Sequence, residues 1–288
     1  MVQAVAEYSP KEFIPVTANV HSIDASASFS LLSQQEALYA YYMARASWDG
    51  SKICWFQRSY EAPALLVLFK LIFTDGIDKF KEDSMAAGLT EDEWKQLLVY
   101  CAAVFQNCGN FKSFGDTKFV PQLSQDKFVA AIQASSAYKT HKKVIDTILD
   151  KTFAEVYSEA DPLARIGFRD SNGVSSYYSG NITKDDTTYI DEFCQRERIS
   201  PLNTRLLKSE DGNTYELLVC SRDADKAKTP YLGTYEEEGG KKVIVRAGDF
   251  GTFMAQVVSS MEKAMYYTSD ENQAKMIENY VEHFIYGE

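Results

Sequence analysis

The sequence predicts an α+β fold, with helical segments around a small antiparallel sheet or barrel. Three observations predict it. Apolar residues recur at helical spacing through the first half of the chain, two short hairpin patterns follow, and helical spacing then returns. With 288 residues, 45% hydrophobic and 25% charged, the chain has the make-up of a folded protein and the material for a large core.

Residues 1–28 read as irregular, with Pro10, Pro15 and a Ser/Ala run. Ser33 and Glu36 form a capping box, in which each supplies an acceptor for the other's backbone N–H. Leu38, Tyr41, Tyr42 and Arg45 follow at helical spacing, and Pro63 sits where the first turn of the next helix needs no N–H donor. Thr90 and Glu93 form a second box, ahead of the stripe Trp94, Leu97, Leu98, Cys101, Val104, Phe105 and Cys108, with Gly109 expected as its C-cap. Further helices are expected from Ser124 and over Lys142–Tyr157. The β-rich part offers Gly173–Tyr178 and Thr204–Leu207 as strands, separated by a helix from Thr183 to Arg198 with Asp185 and Asp186 in its first turn. Arg205–Lys208 with Thr214–Cys220, and Tyr231–Glu236 with Lys241–Arg246, read as hairpins. Helices over Phe253–Tyr267 and Glu271–Phe284 complete the chain. The expected organisation is an irregular segment 1–28 and one lobe over 29–288: helical 29–164, β-rich 165–248, helical 249–286.

The formal charge of −11 argues against a duplex nucleic-acid binder, which needs a basic face to displace phosphate counterions. No signal peptide is recognisable. The longest apolar run, Ala64–Phe73, is broken by Lys70 and falls short of the roughly 20 residues of a membrane span. Five cysteines without a signal peptide read as free thiols in a reducing compartment, so a cytoplasmic location is expected. The Asn181–Thr183 sequon then carries no meaning.

Catalytic motifs are scarce. His21, His141 and His283 are scattered, no Cys-x-x-Cys occurs, and no Gly-rich phosphate loop is present. Cys101 and Cys108 share one helical stripe and read as core. Glu278, Glu282 and His283 read as a solvated face. The unusual segment is Gly109–Pro121, GNFKSFGDTKFVP, in which three Phe interleave with Lys, Asp and small residues. It is either a structured loop whose rings fill a core while Lys and Asp stay hydrated, or a cleft wall offering aromatic faces and amides to a ligand.

That segment resembles one typical of dipeptidyl peptidase III, a zinc-dependent family that removes dipeptides from the N-termini of oligopeptides. Leu38–Tyr41, Ser59–Pro63, Gly88–Glu93, Leu98–Tyr100, Tyr178–Asn181, Asn203–Leu206 and Tyr280–Phe284 resemble family segments in the same order. The resemblance implies most of the non-zinc lobe of a two-lobed enzyme, with a five-stranded β-barrel plus helices. It also implies Phe114 as a substrate contact, with Asn110, Lys112 and Ser113 beside it. The family's zinc segments, His-Glu-Leu-Leu-Gly-His and Glu-Glu-Cys-Arg-Ala-Glu, do not occur here. The chain therefore reads as the N-terminal part of a longer enzyme, with no catalytic or metal-binding residue of its own and inactive alone. Zinc belongs to the full-length family. The expected partners are an oligopeptide and the missing zinc-bearing lobe, with neither nucleic acid nor membrane. The alternatives are a stand-alone peptide-binding or regulatory module, and a metal-free hydrolase using a cysteine.

Overall fold

The structure, a computed structural model, describes residues 12–287. In chain order the helices are α1 (Ser26–Phe29), α2 (Gln34–Arg58), α3 (Ala62–Ile72), α4 (Ile77–Ala86), α5 (Glu91–Asn107), α6 (Gln125–Ala134), α7 (Ser136–Val156), α8 (Lys184–Glu197), α9 (Gly251–Met265) and α10 (Glu271–Tyr286). The strands are β1 (Thr204–Lys208), β2 (Thr214–Cys220), β3 (Gly233–Glu236) and β4 (Lys242–Asp249). The chain divides into two compact units. One takes the described part of Met1–Asn19, with Arg58–Gly167 and Asn172–Val174; the other takes Val20–Gln57, Phe168–Ser171 and the described part of Ser175–Glu288.

The first unit is built on α3 to α7. Its entry points follow local chemistry. Pro63 lies in the first turn of α3, and Thr90 caps α5 through the reciprocal box, accepting from Glu93 N at 3.2 Å while Thr90 N donates to Glu93 Oε2 at 2.8 Å. The apolar stripes of α3 and α5 bury Leu65, Leu68, Phe69, Leu97, Cys101 and Val104. Tyr100 meets Phe69, Phe119 and Phe128 edge to face, and Phe128 meets Phe153 in the same way. Each fully buried ring of this kind contributes about 1.5–3 kcal/mol through area burial, and most of the buried aromatic rings among the described residues lie in this unit.

Two expectations shift. The left-handed residue ending α5 is Cys108 (φ 51°), one place before Gly109, whose N–H reaches back to Val104 O at 2.9 Å. Gly109 is required for a different reason: a Cβ there would stand 2.5 Å from Arg58 Cγ and 2.9 Å from Ala62 Cβ. Helix α7 begins at Ser136, capped by Ser135, and its φ/ψ path breaks at His141. The regular part after the break is the stretch the periodicity marks. Of the irregular segment expected over 1–28, residues 1–11 and with them Pro10 lie outside the described residues, and α1 opens within its last part.

The second unit combines α2, α9 and α10 with the sheet and α8. Ala46 of α2 packs with Val257, Val258 and Met261 of α9 and with Ile277 and Val281 of α10. The sheet runs β1-β2-β4-β3. Both expected hairpins form, β1 antiparallel to β2 and β3 antiparallel to β4. The sheet is nevertheless open, four-stranded and mixed, which corrects the expectation of an antiparallel five-stranded barrel. The reason lies in how the hairpins join. Strands β2 and β4 run parallel in a register that pairs Tyr215 with Val243 and Leu217 with Val245. These four side chains are buried with Ile190 and Phe193 of α8 in one core. The far edge of β1 carries an isolated bridge from Leu206 to Tyr178 and, at Lys208, bonds to the Ser179 and Asn181 side chains rather than a fifth strand, and the other edge is the four-residue β3. Gly173–Tyr178 thus makes two isolated bridges, Ile166↔Val174 and Tyr178↔Leu206, instead of the strand expected there.

Helix α8 starts as the sequence indicates, with a box between Thr183 and Asp186. Asp186 does more than cap. It accepts from Lys208 Nζ at 2.8 and 2.9 Å and from Tyr215 OH at 2.6 Å, tying the helix start to β1 and β2. The end of α10 is tied too, since Arg222 N and Asp223 N donate to Phe284 O and Ile285 O at 2.9 and 2.8 Å. Among the described residues no helix is long and apolar enough to cross a membrane.

Candidate functional site

Within the first unit, Gly109–Pro121 folds into a minimal hairpin. Phe111 and Lys118 form an antiparallel bridge, Lys112 N donates to Thr117 O at 2.9 Å and Phe119 N donates to Asn110 O at 3.0 Å. The turn is made by Gly115 (φ 99°) and Asp116 (φ 53°), a left-handed pair for which Gly and Asp are suited residues. The rear strand pairs outward as well, with Lys118 N donating to Ala164 O and Ile166 N donating to Asp116 O, both at 2.9 Å.

The hairpin is anchored from within. Phe111 and Phe119 are fully buried, and so are Asn110 and Lys118. Lys118 Nζ donates to Glu61 Oε1 at 2.7 Å and to Glu155 O at 2.9 Å, and stands 5.3 Å from the centroid of the Phe111 ring. Asn110 Oδ1 accepts from Ser59 Oγ at 2.8 Å, and the same Ser59 Oγ accepts from Ala62 N at 3.0 Å. The start of α3, the hairpin and the end of α7 therefore share one buried polar network. A buried charge is tolerated where it is paired and hydrogen-bonded, and this one is. The reading of the loop lysines as hydrated is corrected for Lys118, which is buried because its partners Glu61 and Glu155 come from distant parts of the chain.

The four residues singled out from the sequence are placed differently from one another. Phe114 stands at the tip with 95% of its surface exposed. Ser113 donates through N and Oγ to Asn107 Oδ1, both at 2.9 Å. Lys112 pairs with Glu12 at 2.5 Å. Asn110 faces inward, with its amide committed to the network. Glu61, Lys118 and Ser59 are the residues sequence reasoning did not connect. The one available signal was a lysine embedded between Thr117 and Phe119 in an apolar stretch.

The remaining chemistry is sparse. Among the described residues no group of three His, Cys, Asp or Glu side chains is placed to hold a metal ion. The five cysteines are not joined in disulfides. Burial pushes the Cys101 thiol far up, and burial with a lesser contribution from a nearby aspartate pushes Cys194 and Cys220 to about 11. Such thiols are protonated at neutral pH and make poor nucleophiles. Glu278 and Glu282, on the outer side of α10, pair with Lys275 at 2.6 Å and Lys228 at 3.1 Å, as a solvated face does. A shallow groove of about 640 Å³ runs along α10 past Met276, Tyr280 and His283.

Residues 148–288 match the sequence model of peptidase family M49. The chain is 34% identical over 289 residues to dipeptidyl peptidase 3 of Nematostella vectensis, covering 95% of this chain and 39% of that protein. It is 35% identical over 283 residues to dipeptidyl peptidase 3 of Homo sapiens, covering 95% of this chain and 38% of that protein. The protein of the same name from Dictyostelium discoideum is 33% identical over 274 residues, again with 95% and 38% covered. The chain thus spans about two fifths of the length of these curated relatives. Residues 148–288 are thus similar to peptidase family M49, and the chain as a whole is similar to part of the dipeptidyl peptidase 3 proteins.

Proposed function

We propose that this chain is the peptide-contacting, non-zinc part of a cytoplasmic dipeptidyl peptidase that releases dipeptides from oligopeptide N-termini. In this reading it forms a wall of the cleft, presents Phe114 to the peptide and is inactive without a zinc-bearing partner lobe. Lys112 and Ser113 flank the contact, and Asn110 holds the loop from inside. The observation that carries the reading is a fully exposed aromatic ring on a hairpin fastened by a buried ion pair. An exposed Phe costs solvation and adds nothing to its own core, while a preorganised ring lowers the ordering cost of binding a peptide. The relatives' printed names supply the reaction class.

The test is calorimetric titration of the full chain with tetra- to octapeptides, beside an assay on a dipeptidyl-naphthylamide substrate. Weak binding that Phe114→Ala removes, without dipeptide release or stoichiometric zinc, is the expected result. Absence of binding to the intact chain overturns the cleft-wall role, and hydrolysis by the zinc-free chain overturns the predicted inactivity.

A further inference from the structure

One step of the backbone combines chemical lability with a geometry that cannot absorb its product. Asn172–Gly173 is the only Asn-Gly pair in the sequence. Asn172 follows a 3-10 turn, Arg169–Ser171, and lies exposed in the left-handed region at φ 55°. Gly173 runs directly against Gly167: a Cβ on Gly173 would stand 2.6 Å from Gly167 Cα and 2.8 Å from Gly167 N. Packing therefore demands glycine after Asn172, and glycine is the residue whose backbone nitrogen is least shielded. On either side the crossing is fastened by Gly167 N to Val174 O at 2.9 Å and Val174 N to Arg165 O at 3.0 Å. The Gly173 N–H takes part in neither bond. Four other asparagine amides are spent: Asn107 on Ala103 O, Asn181 on Lys208 O and Ser209 O, Asn203 on Gly287 O, and Asn110 in the buried network.

We propose that Asn172 is a site of spontaneous modification, deamidating in the folded chain through a succinimide to isoaspartate, and that the product opens the Gly167–Gly173 crossing. The Gly173 backbone nitrogen gives up its proton and bonds to Asn172 Cγ. The Cγ–Nδ2 bond breaks, and the amide nitrogen leaves as ammonia carrying that proton. Water then opens the five-membered imide at Cγ, giving aspartate, or at the main-chain carbonyl carbon, giving isoaspartate. No oxidant or reductant is involved. Isoaspartate routes the chain through Cβ and adds one backbone atom where the two glycines already leave no room for a methyl group. The Ile166↔Val174 bridge and the bonds beside it are then lost. The modification is independent of any peptidase role.

The test ages the full chain at neutral pH and physiological temperature, folded and urea-unfolded in parallel. Peptide mapping with an isoaspartyl-specific methyltransferase reads the product. Isoaspartate should appear at residue 172 of the folded chain before any other asparagine. If residue 172 converts in urea but stays Asn in the folded chain, the proposal is overturned. Hydrogen exchange then reads the consequence. Aged chain should lose protection at the Gly167 and Val174 amides, while Asn172→Asp, which adds the charge without the extra atom, keeps it. Retained protection in the aged chain, or equal loss in the Asn172→Asp variant, overturns the structural half of the proposal.

Discussion

The first unit's hairpin and the second unit's sheet each place a lysine–carboxylate pair beside an aromatic core, and they do so at different depths. The Lys118 and Glu61 side chains are 1% and 4% exposed, whereas those of Lys208 and Asp186 are 17% and 8% exposed. The deep pair joins segments 57 residues apart and has further bonds to a backbone carbonyl and an asparagine amide. The shallower pair reinforces a junction that already has a capping box and a packed helix. A fully buried pair is therefore a positional device whose halves cannot be separated, while a rim pair is one stabilising contact among several.

Lys118→Met tests this contrast most severely. It leaves Glu61 buried without its cation and should cost about 3–5 kcal/mol in thermal or urea unfolding. The double variant with Glu61→Leu should recover most of that loss. A double variant as unstable as the single one would remove the ion pair from the explanation.

Asp186→Asn should cost about 2 kcal/mol, the scale of losing charge-assisted bonds, and should change the acid limb. Burial acts to raise the Asp186 carboxyl pKa, but the bonds from Lys208, Tyr215 and Thr183 outweigh it and hold it well below the ordinary range. A depressed folded pKa contributes stability that is complete above the unfolded value, about 3.9. It drains away as pH falls from there towards the folded value. Wild type should therefore lose stability more steeply than the variant below about pH 4. Identical acid limbs would refute the assignment.

Thiol labelling sharpens the comparison between the two cores. Exposed Cys54 should react first with an aromatic disulfide reagent, Cys194 and Cys220 more slowly, and Cys101 only on unfolding. Early labelling of Cys101 would mean that the first core opens more readily than its packing indicates. The smallest expected change in stability belongs to Phe114→Ala, within about 0.5 kcal/mol as for other exposed positions. A large loss of stability there would show that the tip is packed.

Much of the local structure was legible. The boxes at Ser33 and Thr90, the helix start at Thr183, the proline at the start of α3 and both hairpins follow from residues a few positions apart. The start of α7 was not, because the break at His141 interrupts its period. At the candidate site, the sequence left open whether the loop's Phe rings fill a core or face a ligand, and neither the split between buried Phe111 and Phe119 and exposed Phe114 nor the inward turn of Asn110 and Lys118 was legible. Their partners Ser59 and Glu61 lie some fifty residues away, beyond the reach of any pattern window.

By itself the sequence determined the class of the fold, the starts of α2, α3, α5, α6, α8 and α10 and both strand pairs, since capping, periodicity and turn chemistry act over a few residues. Only the tertiary structure decided that the hairpins join through parallel β2 and β4 into an open sheet, and that Lys118 belongs inside. Both outcomes depend on which surfaces meet across long separations. There the burial of Tyr215, Leu217, Val243 and Val245 on one face, and the pairing of one buried charge with another, outweigh local preference.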